Sequence, residues 1–207
     1  MYLITEMTEK VKYLVEGKGS NKEYFIEGVF MQAEQKNRNG RVYPKDTLFN
    51  EVDRYVNESV KKNRALGELN HPDGPTINLD RVSHMIKELR VEGNNIVGKA
   101  KVLDTPHGRI VKSLIDEGAT LGVSSRGMGS MKTLKNGVNE VQDDFSLAAV
   151  DIVADPSAPG AYVNGVYEGK QWIRNEQGLF VECIVEEKEP INEEALMKKF
   201  QRFVAGL

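Results

Sequence analysis

The sequence predicts a single α+β domain, and three observations lead there. Apolar runs of strand length dominate the middle of the chain, helical periodicity is confined to a few stretches, and the two do not alternate in the βαβ rhythm of a parallel sheet. No internal repeat and no low-complexity tract interrupts the pattern.

The first strand is read at Tyr24–Glu34, YFIEGVFMQAE, because aromatic and branched residues fill it and the polar turn NRNGR ends it. Pro44 and Asp46 then signal a helix start, and Leu48, Val52, Tyr55, Val56 and Val60 fall on one helical stripe. After HPDGPTIN, the segments RVSHMIKELRV and NIVGKAKVL flank the turn EGNN and predict a hairpin. In it Ile96, Gly98, Ala100 and Val102 share a face.

TPHGRIVKSLIDEG carries helix punctuation at both ends, with Thr105 as cap, Pro106 in the first turn and Gly118 as stop. LGVSSRGMGSM re-enters the sheet. Lys135-Asn136-Gly137 turns a second hairpin between GSMKTL and VNEVQDDF, and FSLAAVDIVA is a largely buried strand that breaks at Asp155-Pro156. A final amphipathic helix, INEEALMKKFQRFVAGL, has Asn192 as cap and follows the charged linker Glu186 to Pro190. The domain is thus expected over residues 23–170, with an N-terminal extension at 1–22 and a C-terminal segment at 171–207.

Composition narrows the function. The 207 residues are 40% hydrophobic and 29% charged, as in ordinary globular proteins. The net charge of −3 is mixed along the chain without a basic block, which argues against nucleic acid as a direct ligand. No apolar run is long enough to span a bilayer and the N-terminus lacks an apolar signal core, so a cytoplasmic protein without a membrane partner is expected. A P-loop motif is absent. Cys183 is the only cysteine, so it can form no intramolecular disulfide, and its acidic neighbours disfavour a reactive thiolate.

Three histidines bound the chemistry that imidazole could do. His107 lies in the first turn of a predicted helix, where the dipole disfavours imidazolium, and reads as a solvated surface residue. His84 lies mid-strand and reads as structural. His71, in GELNHPDGP, sits where a short strand meets a turn stiffened by Pro72, Gly74 and Pro75, a place where loops hold reactive side chains. It reads as a general base, as a turn histidine bonded to backbone, or as a metal ligand with Glu68 and Asp73.

LGVSSRGMGS sets two serines among glycines at 122, 127 and 129. It suits a nucleophile beside backbone N–H groups, and equally a Gly-rich strand edge, with Arg126 as a surface ion-pairing residue. Asp151 lies inside the apolar strand AAVDIVA. A carboxylate there needs a partner, for which a histidine that becomes positive is one choice and solvent or backbone the other.

GELNHP at 67–72, GVSSRGMGS at 122–130 and AVDIVADPSAP at 149–159, in that order, resemble the prohead proteases of T-even-like tailed phages. EGVFMQAEQKNRNGRVYPK, from Glu27 to Lys45, resembles them too, so the likeness runs from about Glu23 to Val163. The resemblance implies an assemblin-like fold, a compact antiparallel β-barrel or sheet wrapped by helices. It also implies a cofactor-free serine endopeptidase with His71 as base and Ser124, before Ser125, as nucleophile.

Assemblin's third member is a histidine on a later strand. No histidine follows His107 here, so that place falls to Asp151, with Asp144 second. Arg126 and Gly127 take the oxyanion-binding role by the same resemblance. The implied substrates are scaffold, capsid and other prohead proteins, cut inside the prohead in the host cytoplasm, and the protein itself, with a homo-oligomer as a further expectation. The family cuts after Glu with Leu or Ile two residues earlier, a pattern found at Ile4-Thr5-Glu6, Leu14-Val15-Glu16, Ile184-Val185-Glu186 and Ile191-Asn192-Glu193. Two other readings are a non-enzymatic scaffold or capsid-associated protein that keeps the fold, and a metal-dependent hydrolase centred on His71.

Overall fold

The structure, a computed structural model, describes residues 1–8, 11–16, 23–154, 170–174 and 180–184. The strands are β1 Tyr2–Thr8, β2 Val11–Glu16, β3 Glu23–Gln32, β4 Arg41–Val42, β5 Leu66–Glu68, β6 Val82–Glu92, β7 Asn95–Val102, β8 Leu121–Gly129, β9 Met131–Thr133, β10 Asn139–Val141, β11 Ser146–Ala154, β12 Lys170–Arg174 and β13 Phe180–Ile184. Helix α1 spans Lys45–Tyr55 and α2 spans Pro106–Asp116. Among the described residues the pairing is antiparallel almost throughout, with β4 and β10 parallel.

Two five-stranded sheets carry the molecule. One has the order β11-β8-β1-β12-β13 and the other β2-β3-β7-β6-β5, while β4-β10-β9 form a small third sheet. Strand β8 has β11 on one side and β1 on the other, and every one of its residues is buried. Ser124, Ser125 and Arg126 are therefore buried polar side chains that must find partners inside the protein.

The helices follow their sequence signals. On α1, Leu48, Val52 and Tyr55 are buried, and the chain continues through a π-helical turn to buried Val60. Each such side chain removed from water contributes about 1.5–3 kcal/mol. In α2 the Thr105 hydroxyl accepts from the Gly108 amide, Pro106 fills the first turn, and Gly118 takes a φ of 80° just past the end. The hairpin β6–β7 turns at Gly93, and Gly98 is glycine because the Phe30 ring occupies the space a Cβ would need.

Just beyond β5, backbone hydrogen bonding links the two large sheets among the described residues. Beyond β5 the chain makes a parallel bridge between Leu69 and Ile152 of β11, and the Asn70 amide donates to the Ile152 carbonyl at 2.8 Å. Asn70 then turns with a φ of 63°, a conformation that Asn tolerates better than most residues. The segment after β5 is thereby aimed at the middle of β11.

One expectation changes here. No closed barrel forms among the described residues, because closure needs a continuous ladder and β5, three residues long, forms no ladder with β11, the chain beyond it making one isolated bridge. Within residues 1–22, β1 lies between β8 and β12, and β2 pairs with β3. Likewise β12 and β13 prolong the first sheet beyond residue 170. The break at Asp155-Pro156 and the terminal helix lie outside the described residues.

Candidate active site

The antiparallel register of β8 and β11 sets Ser124 directly opposite Asp151. Alternate residues of a strand share a face, so Ser124 and Arg126 point one way and Ser125 the other. The bridge from Leu69 to β11 delivers His71 to the Ser124 face.

His71 lies between the two strands' side chains. Its Nε2 is 2.7 Å from Ser124 Oγ and its Nδ1 is 2.9 Å from Asp151 Oδ2. Asp151 is wholly buried, whereas His71 keeps 18% of its side chain exposed. Burial pushes the Asp151 carboxyl up, but hydrogen bonds from His71 and Arg126, with their charges, outweigh it and hold the pKa at about 2. An ionised carboxylate can only accept, so Nδ1 carries the proton and Nε2 is the bare nitrogen facing the serine hydroxyl. That tautomer is the one a general base needs.

Asp151 is held from all sides. Its Oδ1 accepts from the Glu68 amide at 3.0 Å, and the Arg126 guanidinium donates Nε to Oδ2 at 2.8 Å and Nη2 to Oδ1 at 3.3 Å. Arg126 also donates Nη2 to Glu68 Oε1 at 3.3 Å and Nη1 to the Gly74 and Thr76 carbonyls at 2.7 and 3.3 Å. Glu68 is itself fully buried and accepts from the Asn78 amide and side chain at 3.0 and 3.2 Å, with Arg81 3.8 Å away.

The Arg126 side chain is committed to these partners, so an oxyanion role for Arg126 and Gly127 would fall to their backbone. All five of its N–H donors already have acceptors, and the side chain is fully buried. Gly127 lies between β1 and β11, where the Phe145 ring and the Ser146 carbonyl fill the place of a Cβ, and Gly129 also faces Phe145. These glycines make room for Phe145 rather than for a substrate backbone.

The other sequence candidates separate cleanly. Ser125 stands opposite Val150 and Glu6 in the ladders, away from His71. Asp144 accepts from the Ser130 amide and hydroxyl at 2.8 and 2.9 Å, closing a turn. His84 is fully buried between the Ser83 hydroxyl and the Val150 carbonyl, and His107 sits on the surface 3.1 Å from the Asp80 carbonyl. Cys183 lies on β13.

Among the described residues no three His, Cys, Asp or Glu side chains converge as metal ligands, and Glu68 turns to Arg126 and Asn78. Sequence reasoning weighed Glu68 only as a metal ligand and Arg126 only as an oxyanion donor or surface residue. The signal for their pairing was a charge beside an apolar strand run at each place, unreadable as a pair until the strands were assembled.

Known proteins resemble this chain in sequence and in fold. The sequence model of the family described as prohead core protein serine protease matches residues 5–171. The prohead core protein protease of Enterobacteria phage T4 is 43% identical over 142 residues, 67% of either chain. The solved structure of the bacteriophage T4 capsid assembly protease superimposes with a TM-score of 0.70 at 33% identity, covering 73% of this chain and 97% of that one. With a family match that includes β5, β8 and β11, the chain belongs to the prohead core protein serine proteases.

Proposed function

We propose that this peptidase of phage head maturation works as a serine endopeptidase with Ser124 as nucleophile, His71 as general base and Asp151 as the orienting acid. The observation that carries the reading is the unbroken chain from Ser124 Oγ through His71 to Asp151, with contacts of 2.7 and 2.9 Å. His71 Nε2 takes the hydroxyl proton as Oγ attacks a peptide carbonyl, and the imidazolium so formed is steadied by Asp151. His71 returns the proton to the leaving amine, and a water activated the same way releases the acyl-enzyme. The chain order of base, nucleophile and third member supports an assemblin-like relationship as part of this reading.

Its substrates are the scaffold, capsid and other proteins of the prohead interior, in the host cytoplasm. The reading favours an enzyme over a fold-retaining scaffold protein because a non-catalytic chain has no need of a part-exposed imidazole set between a serine hydroxyl and a buried, ionised carboxylate. A fluorophosphonate probe should label the wild-type protein and leave Ser124→Ala unlabelled. Equal labelling of both would reject Ser124 as nucleophile.

Self-cleavage belongs to the same proposal, with an order among sites that the fold suggests. Glu6 lies opposite Ser125 inside the β1–β8 ladder, and a protease needs its substrate strand extended and free. Glu16 ends β2, which among the described residues is an edge strand paired with β3, so freeing the strand there breaks one ladder rather than two. The bonds after Glu186 and Glu193 lie outside the described residues. Intact mass of the incubated protein should show loss after Glu16 before loss after Glu6, and no loss in Ser124→Ala.

A further inference from the structure

Arg126 creates an electrostatic difficulty for the mechanism above. A guanidinium bonded to both oxygens of Asp151 fixes the carboxylate well, yet its charge offsets the field that Asp151 exerts on His71. Left to itself, such a pair is close to neutral, and a neutral neighbour does little to stabilise an imidazolium.

Glu68 changes that balance. It lies on β5, three residues before His71, and accepts from the same Arg126 Nη2 that also donates to Asp151 Oδ1. Its oxygens accept from Asn78 and Arg126 and face Arg81, a donor set that suits an ionised carboxylate. The buried cluster therefore holds two carboxylates against one guanidinium. Arg81 adds a further positive charge nearby, but it is 37% exposed and screened by solvent.

The remaining neighbours leave this count unchanged. Tyr55 of α1 is a phenol that burial keeps protonated, His84 of β6 is held neutral by burial, and Glu51 and Arg54 pair with each other. Ser124 and the Gly74 and Thr76 carbonyls contribute dipoles only.

We propose that Glu68 is a positioning residue for the reaction. By facing Arg126 it keeps the cluster one negative charge in excess, so that Arg126 holds Asp151 in place without cancelling its pull on the His71 imidazolium. Glu68 touches neither substrate nor His71's ring nitrogens. It acts through Arg126 and Asp151, and its backbone amide fixes Asp151 Oδ1 as well. The inference rests on the His71–Ser124–Asp151 reading given above.

The test is the pH dependence of fluorophosphonate labelling of the purified full chain, with thermal midpoints measured alongside. The cluster carries one excess negative charge in the wild type, none in Glu68→Gln, two in Arg126→Gln and one again in Glu68→Gln/Arg126→Gln. The acid limb of the labelling profile should move to lower pH in Glu68→Gln and to higher pH in Arg126→Gln, each by roughly one pH unit. It should return to the wild-type position in the double variant. The plateau rate of Glu68→Gln should fall by about threefold to tenfold, as for a weaker base.

A purely structural Glu68 would lower thermal midpoints and rates without moving the limb, and an unmoved or reversed order overturns the proposal. Should Glu68→Gln fail to fold, Arg126→Gln and the double variant still rank against the wild type. Labelling of Ser124→Ala at the wild-type rate would instead overturn the catalytic reading, and the role of Glu68 with it.

Discussion

His71 and His84 each lie between a serine hydroxyl and an acceptor on β11. For His71 the partners are Ser124 Oγ at 2.7 Å and Asp151 Oδ2 at 2.9 Å, and for His84 they are Ser83 Oγ at 2.9 Å and the Val150 carbonyl at 2.8 Å. The acceptors come from consecutive residues of one strand. A carbonyl can only accept, so His84 carries its proton on Nε2 and its Nδ1 takes the Ser83 hydroxyl hydrogen, which is again a serine donating to a bare nitrogen.

The difference lies in charge and access. The Val150 carbonyl offers a fixed partial charge, and the His84 site is sealed, so burial lowers the histidine pKa and the proton stays on Ser83. Asp151 offers a full charge held ionised near pKa 2, and His71 reaches solvent. A serine beside a histidine is therefore not enough. The hydroxyl becomes a nucleophile only where a carboxylate can balance the imidazolium and a substrate can arrive.

Breaking the reactive side should give the largest effect. Ser124→Ala and His71→Ala should each lower peptidase turnover by about a thousandfold or more, because each removes one end of the proton transfer. Asp151→Asn should lose roughly as much by imposing the wrong tautomer on His71. Turnover assays alongside thermal melts check both, and normal turnover in any of the three would erase the distinction between the two histidines.

The silent side should answer in stability instead. His84→Ala leaves a cavity and strips partners from Ser83 and the Val150 carbonyl, so it should cost about 2–4 kcal/mol in urea unfolding. The fraction that remains folded should keep near-normal turnover. A smaller loss of about 1 kcal/mol is expected from Asp144→Asn, which weakens the Ser130 turn and leaves turnover alone.

Acid should separate the two sites a second way. The lowered pKa of His84 means that the unfolded chain binds more protons than the native one below about pH 6.5, so stability falls as pH drops through that region. Asp151, depressed from 3.8 to about 2, contributes about 2 kcal/mol that is present above pH 3.8 and lost as pH falls through 2. In His84→Gln the urea midpoint should be flatter between pH 7 and 5 and still drop below pH 4. An unchanged slope between pH 7 and 5 would mean that His84 is not the group responsible.

Local signals were legible where the chain itself had to satisfy a local rule. The Thr105 cap, the positive φ at Gly118 and Gly137, and the buried stripe of Leu48, Val52, Tyr55 and Val60 all follow from backbone sterics and helical period. The strand pattern around Ser124 and Asp151 was readable for the same reason. The resemblance then pointed to His71, Ser124 and Asp151, which the fold brings together, and to Arg126 and Gly127, of which it ties the Arg126 guanidinium to Asp151 and Glu68.

The sequence alone narrowed the candidates for chemistry to one histidine in a loop, two serines in a strand and one acid in an apolar run. Alternation along the strand required that only one of the two serines could face that histidine. Tertiary structure decided the rest. The Leu69–Ile152 bridge brings His71 to β11, the register of β8 against β11 sets Ser124 beside Asp151, and the meeting of β5 with β8 turns Arg126 and Glu68 into one buried cluster. Those contacts join residues 25 to 83 positions apart. No local propensity encodes them, because a hydrogen bond between distant strands depends on which strands lie side by side, and that is settled by the burial of both sheets together.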